Sequence, residues 1–202
     1  MGHLFLDIET YAALGNPDSA LNPYHPESKV LVVSYNYYNG FKPPVKEKLQ
    51  KPTFLVEWES DEKMILATFY LFLKEIQAND TYLKITGFNI LKFDLPYLYG
   101  RMKAHKIAPE KELHDLLFRP FGVDLFQISA VLPEKTLEFE QLWGMNHKDV
   151  SKKFNLQVKE GTGLDCSRFY DAKEYDKIMK YCTEEFNFEQ MMTAFYDHIA
   201  KR

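Results

Sequence analysis

The chain has 202 residues, of which 46% are hydrophobic, so it is long enough to fill one core, and a single domain over residues 1–202 is expected. Its formal net charge of −4 excludes a surface coated with positive charge that binds nucleic acid indiscriminately. Cys166 and Cys182 are the only cysteines and form no CxxC pair, which favours a reducing compartment inside the cell.

The N-terminal residues MGHLFLDIET carry no basic segment followed by a long apolar stretch, as a signal peptide would. No uncharged apolar run approaches the length that crosses a bilayer. These features predict a soluble, cytoplasmic protein without a membrane partner.

Composition and hydrophobic spacing predict the elements in chain order. They are a strand at 3–9, a loop at 11–28, strands at 29–38 and 53–58, a helix at 61–78, a strand at 82–90, a helix from Asp94 towards His105, a strand at 121–128, and helices at 136–143 and 172–200. Three strands followed by alternating helices and strands predict the α/β fold class, with a mixed five-stranded sheet flanked by helices.

The first strand carries two carboxylates on one side. In LFLDIET, Leu6 and Ile8 face one way, while Asp7 and Glu9 face the other with their backbones roughly 6.5–7 Å apart. Two like charges on an apolar strand repel each other and are costly to desolvate, and a divalent cation removes both penalties. Oxygen ligands favour Mg²⁺ or Mn²⁺ over zinc. An edge strand with solvated carboxylates is the alternative.

The segment GFNILKFDLPYLYGR (87–101) places Asp94 where a strand gives way to a helix, with Pro96 in the first turn of that helix. An Asp before an early Pro is a normal helix N-cap, and this alternative accounts for Asp94 without any metal. Asp94 also lies where the fourth strand brings the chain beside the first, so a ligand role and a capping role both stay open.

The predicted last helix carries a carboxylate within an apolar stripe. Glu185 lies on this stripe, and Tyr181 lies one turn before it. The other members of the stripe are Ile178, Cys182, Met192, Phe195 and Ile199. A buried Glu needs a partner, whereas a Glu at the margin of the stripe reaches solvent by its flexible stem. Tyr170 and Glu174 have the same spacing and are the second choice, because they lie at the start of the helix.

Together these segments resemble the DEDD superfamily of 3′–5′ exonucleases. LFLDIET resembles the first motif, and GFNILKFDLPYL resembles the second as it is written in proofreading domains of family B DNA polymerases and their stand-alone relatives. YCTEE (181–185) resembles the third motif of the DEDDy branch, Tyr-x-x-x-Asp. VDLF (123–126), the helix at 136–143 and Lys148 resemble the segment between the second and third motifs. The motifs occur in the right order across almost the whole chain.

The resemblance implies a ribonuclease H-like fold and hydrolysis of a terminal phosphodiester with two divalent metal ions, Mg²⁺ or Mn²⁺. Carried over by motif, Asp7, Glu9, Asp94 and Glu185 hold the metals, and Asp7 bridges both. Tyr181 orients the attacking water, because a phenol with an ordinary pKa of about 10 is a poor base at neutral pH.

The motifs also indicate residues that touch the substrate. Thr10 and Asn89 fall at positions that contact the 3′-terminal nucleotide, and Phe88 and Phe93 flank the motifs where they can stack on bases. Packing in the core is the alternative for both Phe side chains. The expected substrate is the 3′ end of single-stranded DNA, or of RNA, and replication or repair proteins are the expected partners.

Lys42, Lys46, Lys48 and Lys51 follow the second strand and either contact phosphates or form a solvated connection. Glu185 departs from the family pattern, which ends in Asp. The extra methylene moves its carboxylate outward, which either changes the metal geometry or favours Mn²⁺, since Mg²⁺ tolerates distorted coordination poorly. Activity is expected to survive this change. A nucleic-acid-binding module that kept the fold but lost catalysis is the alternative function, and Tyr181 disfavours a ribonuclease H-like endonuclease or resolvase.

Overall fold

The computed structural model describes residues 1–13, 16, 19, 21–40, 49–130, 132 and 144–201. The strands are β1 Gly2–Tyr11, β2 Lys29–Asn39, β3 Thr53–Val56, β4 Leu83–Gly87 and β5 Phe121–Asp124. The helices are α1 Glu62–Asn79, α2 Asp94–Ala104, α3 Glu110–Phe118, α4 Leu125–Ser129, α5 His147–Lys153, α6 Gly163–Asp171, α7 Tyr175–Glu185 and α8 Phe188–Ala200. A 3-10 turn at Glu57–Glu59 follows β3.

β1 lies at the centre of the sheet. Among the described residues the strands form one five-stranded sheet in the order β3-β2-β1-β4-β5. β1 pairs antiparallel with β2 and parallel with β4, and β4 is parallel to β5. The predicted α/β class with a mixed five-stranded sheet is confirmed. Since Asp7 and Glu9 lie on a central strand, the alternative of an edge strand is wrong.

The two faces of β1 enter different cores. Leu6 packs on the face covered by α1, α2 and α3, whereas Phe5 packs against side chains of α4, α5 and α8. A third cluster joins β2 to α6 and α7 through Leu31, Cys166 and Cys182. Helices therefore cover both faces of the central strand, and this burial explains the apolar residues Leu4, Phe5, Leu6 and Ile8 within it.

The fourth predicted strand ends earlier than expected. Residues 82–90 reduce to β4, because Asn89 has a φ of 61°, a left-handed conformation that a strand does not continue through. The predicted strand at 53–58 also stops at Val56, where the 3-10 turn begins.

The fifth predicted strand, 121–128, is wrong beyond Asp124. The Asp124 carboxylate accepts a hydrogen bond from the Phe126 backbone N–H at 3.0 Å and so caps α4, which starts at Leu125. The helix predicted at 136–143 lies outside the described residues.

The single helix predicted over 172–200 is wrong. The predicted range is divided between two helices, α7 and α8. A further helix, α6, ends just before Lys173 and was not predicted from the sequence pattern. The helical spacing of apolar residues continues across the break at Phe186 and Asn187, so periodicity alone did not reveal it. Ile199, predicted to lie on the buried stripe, is 50% exposed. In the described part of the chain, none of the helices has the length and apolar character needed to cross a bilayer.

Candidate metal centre

β1 directs two carboxylates into one buried cleft. Asp7 and Glu9 are 7% and 6% exposed, and strand alternation sends Leu6 and Ile8 into the core on the opposite face. Asp7 lies opposite Ser34 of β2, and the pairing of β1 with β4 ends two residues earlier, at Phe5. This rigid position is the one that the spacing in the sequence predicted.

α7 brings a third carboxylate to the same place. Glu185 is the last residue of α7 and is 7% exposed, and one ligand oxygen each from Asp7, Glu9 and Glu185 lie within 4.8 Å of one another. Tyr181, one helical turn earlier, lines the same cleft. The structure thus brings together the first and third sequence motifs, which lie near opposite ends of the chain.

Asp94 approaches the cleft from the start of α2. Its Oδ1 accepts a hydrogen bond from the backbone N–H of Ile8, at 3.1 Å, between the two carboxylates of β1. Phe93, not Asp94, occupies the N-cap position of α2, so the capping alternative is wrong. Asp94 lines the cleft but lies outside the closely spaced group formed by Asp7, Glu9 and Glu185.

The electrostatics of this cluster favour a cation. Burial, followed by the charge of Glu185, raises the pKa of both Asp7 and Glu9 well above their usual range. Burial also raises the pKa of Asp94 to about 7, although the hydrogen bond from Ile8 opposes the rise. Among the described residues, Asp7 Oδ2 and Glu185 Oε2 are buried with no hydrogen-bond partner. Such orphaned oxygens are costly unless a cation binds them.

Lys159, in the segment that connects α5 to α6, also lines the cleft and was not predicted from the sequence. Its ammonium group forms an ion pair with Glu185 and lies 4.8 Å from the centre of the Tyr181 ring. Burial lowers the pKa of this ammonium, but the carboxylates of Glu185, Glu9 and Asp7 outweigh it and raise the pKa above its usual value. The signal in the sequence is faint: Lys159 precedes Gly161 and Gly163 just before a helix starts.

The start of α6 lies close to Glu9. A Cβ placed on Gly163 would lie 3.6 Å from Glu9 Oε2, which is ordinary contact distance. Cys166, one turn further along α6, is fully buried beside Glu9, and burial raises the pKa of its thiol, so it stays protonated. α6 therefore forms a close neutral wall behind Glu9.

Comparisons with known proteins identify the family of the chain. The sequence model described as "DNA polymerase family B, exonuclease domain" matches residues 4–130, more than half of the chain. The chain belongs to this exonuclease-domain family. The structure of the family B DNA polymerase from the hyperthermophilic archaeon Pyrobaculum calidifontis is similar, with a TM-score of 0.66 and 18% identity over 96% of this chain. The chain spans 24% of that polymerase, and no curated protein shows a significant sequence match.

Family membership confirms the predicted resemblance and the ribonuclease H-like fold. The matched range includes the first two motifs, with Asp7, Glu9 and Asp94, and stops before Tyr181 and Glu185. The third motif of this exonuclease domain therefore depends on the geometry alone, in which Glu185 meets Asp7 and Glu9.

The carboxylates open into a cavity of about 170 Å³. Phe88, Asn89 and Phe93 line it together with the carboxylates, as the motifs suggested. Thr10 does not line it, since it lies on the Leu6 side of β1 near the Tyr97 phenol. The expected contact of Thr10 with a nucleotide therefore requires a substrate that reaches beyond this cavity.

Asp124 organises the loop that follows β4 and carries Asn89. Its carboxylate accepts hydrogen bonds from the backbone N–H groups of Asn89, at 2.9 Å, and Leu91, at 3.3 Å, in addition to capping α4. The sequence pattern placed Asp124 between motifs but gave it no role. Its position at the end of β5, parallel to and beside β4, allows this contact.

The second-choice pair, Tyr170 and Glu174, does not enter the cleft. The Tyr170 hydroxyl donates to Glu57 at 2.5 Å, and Glu174 pairs with Lys177 on the surface. Lys51 is exposed, whereas Lys42, Lys46 and Lys48 lie outside the described residues.

Proposed function

We propose that residues 1–202 form a single exonuclease domain that hydrolyses the terminal phosphodiester at the 3′ end of single-stranded DNA in a divalent-metal-dependent reaction. The observation that carries this proposal is the group of buried carboxylates Asp7, Glu9 and Glu185, found in a chain of the family B exonuclease-domain family. RNA is the second substrate to test, because the same chemistry acts on either sugar.

The residues present fit divalent cations. The donors are all carboxylate oxygens, which suits Mg²⁺ or Mn²⁺, and two of these oxygens have no other partner among the described residues. When bound, such ions would supply the charge that stabilises the attacking and leaving oxygens. Asp7, Glu9 and Glu185 would bind the ions directly. Asp94, whose Oδ1 accepts a hydrogen bond from the Ile8 N–H, would complete the site of the second ion.

Tyr181 has the role of orienting the attacking water. Burial, followed by the charges of Glu9 and Glu185, raises the pKa of its phenol, so the group stays protonated at neutral pH and does not act as a base. A fixed hydroxyl beside the carboxylates holds a water molecule by a hydrogen bond and aligns it with the phosphate.

Lys159 supplies a positive charge inside the same cluster. Its ion pair with Glu185 partly neutralises an acidic site that also has to accept a phosphate group. On the other side of the cavity, Phe88 and Phe93 provide aromatic faces for the terminal bases, and Asn89 provides an amide for hydrogen bonding. Thr10 lies outside this cavity, so its contact with the terminal nucleotide stays a prediction.

One observation favours a second candidate, a nucleic-acid-binding module without catalysis. Lys159 already pairs with Glu185, and this lysine gives the third carboxylate a partner that does not depend on a metal. In that case the protein would bind a single strand without cleaving it.

The deciding experiment is digestion of 5′-end-labelled DNA and RNA single strands with Mg²⁺ or Mn²⁺. The wild type is compared with Asp7→Ala and with Asp176→Ala, a matched control on the exposed surface of α7. A stepwise ladder from the 3′ end that is absent only in Asp7→Ala supports the exonuclease. Internal cuts contradict it, and tight binding without cleavage favours the binding module.

A further inference from the structure

The break between α7 and α8 contains a buried hydrogen-bond network that the proposed reaction does not use. His147, Asn187 and Ser151 are 5%, 3% and 0% exposed, and they lie behind Glu185 rather than in the cleft. Buried polar groups at the end of a helix are normally capping groups. Here, however, they also contact the backbone of Glu185 and the segment that carries Lys159.

The first contact is with Glu185. Its backbone carbonyl accepts a hydrogen bond from His147 Nε2 at 3.1 Å and another from the Asn187 N–H at 2.8 Å. In a continuous helix this carbonyl would accept from residue 189 instead. The chain therefore turns away directly after Glu185, and His147 fixes the carbonyl of the residue whose carboxylate enters the cluster.

The second contact is with the segment that carries Lys159. Asn187 Nδ2 donates to the Gln157 carbonyl at 2.9 Å and to Ser151 Oγ at 3.3 Å. Since the amide nitrogen faces a carbonyl, the Asn187 Oδ1 faces His147 Nε2, at 3.2 Å. One asparagine thus joins the end of α7 to a backbone position two residues before Lys159.

These bonds also define the His147 tautomer. The Glu185 carbonyl and Asn187 Oδ1 are both acceptors, so Nε2 carries the hydrogen. The same ring packs edge-on against Phe88, at 5.3 Å between centroids, and Phe88 lines the substrate cavity. His147 consequently contacts both walls of the cleft.

We infer that His147 and Asn187 are positioning residues that set the distance between the Glu185 carboxylate and the Lys159 ammonium, and thereby the affinity of the carboxylate cluster for a divalent cation. This inference rests on the proposed function. Lys159 pairs with Oε1 of Glu185 while Oε2 has no partner among the described residues, so a metal held by Oε2 would lie beside the ammonium group. A shift of α7 or of the Gln157 segment changes the spacing of these two positive charges on one carboxylate. Groups that orient metal ligands typically contribute about 10–100-fold to metal affinity.

Asn36 provides a matched control for Asn187. It is 4% exposed, and its Nδ2 donates to the Gln50 carbonyl at 3.1 Å and to Glu189 Oε1 at 2.8 Å, so it is an equally buried bridging amide. It joins β2 to α8 without contacting the carboxylate cluster. Asn187→Leu and Asn36→Leu therefore remove similar bonds from the core, but only the first acts on Glu185.

The test measures Mn²⁺ binding directly, from the decrease in the electron paramagnetic resonance signal of free Mn²⁺. Asn187→Leu is expected to weaken Mn²⁺ binding by about 10–100-fold, and Asn36→Leu by less than about twofold, with both proteins folded by circular dichroism. His147→Gln, which keeps an N–H near the Nε2 position, is expected to bind Mn²⁺ like the wild type. His147→Asn, whose amide is too short, is expected to bind it weakly.

Equal Mn²⁺ binding by folded Asn187→Leu and Asn36→Leu would overturn the inference alone, as would equal losses in His147→Gln and His147→Asn. If Asn187→Leu does not fold, the two His147 variants decide the question. A wild type that binds no Mn²⁺ would overturn the proposed function, and this inference with it.

Discussion

The carboxylates of β1 and the carboxylate of α7 reach the same cluster in different ways. Asp7 and Glu9 are two positions apart on a central strand, and the pleat alone directs both to one side. The position of Glu185 depends on the end of α7, on the turn between α7 and α8, and on contacts with residues distant in sequence. The two carboxylates of β1 are therefore rigidly placed and predictable from the sequence, whereas the carboxylate of α7 can adjust its position. This difference predicts unequal responses to mutation.

The largest expected effect is at the strand. Asp7→Asn should lower the rate of 3′-end hydrolysis by more than roughly 100-fold, which is the upper limit for groups that only orient a metal ligand. The reason is that no neighbouring side chain on the rigid strand can move to replace the charge of Asp7. Glu185→Gln should cost less, since α7 and Lys159 can readjust. The rates are measured on a 5′-labelled single strand under saturating Mn²⁺. A larger loss in Glu185→Gln would reverse the proposed order.

Removal of the internal cation should destabilise the metal-free protein. Lys159→Met leaves Glu185 buried and unpaired, which by analogy with other buried pairs costs about 3–5 kcal/mol of unfolding free energy. Thermal or urea unfolding in a chelator measures this cost. Mn²⁺ should stabilise Lys159→Met more than the wild type, because the freed carboxylate becomes available to the metal. Equal stabilisation of both proteins would show that Lys159 and the metal do not share Glu185.

The pH dependence of stability should also reveal the cluster. The folded-state pKa of Asp94 is about 7, above its unfolded value, and those of Asp7 and Glu9 are also raised. Between about pH 4 and pH 7 the folded metal-free protein binds more protons than the unfolded chain, so its stability falls as pH rises, by an amount on the order of a few kcal/mol. Unfolding titrations in a chelator test this fall. A stability that increases over this range without metal would contradict the proposed burial of the carboxylates.

The smallest expected effect concerns the water-orienting hydroxyl. Tyr181→Phe keeps the ring and its contact with Lys159, so Mn²⁺ affinity should change by less than about twofold, while hydrolysis should slow by roughly tenfold or more. Single-turnover rates and Mn²⁺ titrations separate the two quantities. Full activity of Tyr181→Phe would mean that the third motif has been placed wrongly.

The sequence predicted those parts of the fold and site that depend on local periodicity. The strand alternation of β1 and the length of α1 follow from spacing alone, and so does the position of Asp7 beside Glu9. Periodicity did not predict the break at Phe186 and Asn187, because the apolar spacing runs through it. It also did not predict Lys159, whose importance arises from its contact with Glu185 across 26 positions of irregular chain and helix.

The second motif lies between these extremes. The sequence left two roles open for Asp94, and the structure gives the N-cap position of α2 to Phe93, while Asp94 Oδ1 accepts a hydrogen bond from the Ile8 N–H. That contact joins residues 86 positions apart, and it is possible because β4 lies parallel to β1 and ends beside it. The substrate role of Thr10 stays a prediction, since its hydroxyl lies on the side of β1 that faces Tyr97 and not in the cleft.

The most direct test of the central claim is a crystal structure of the wild type grown or soaked with Mn²⁺, with anomalous scattering used to locate the ions. The account predicts two Mn²⁺ peaks about 3.5–4 Å apart among Asp7, Glu9, Asp94 and Glu185, with the Lys159 ammonium displaced from Glu185. An empty cluster at saturating Mn²⁺, with Lys159 still paired to Glu185, would contradict it.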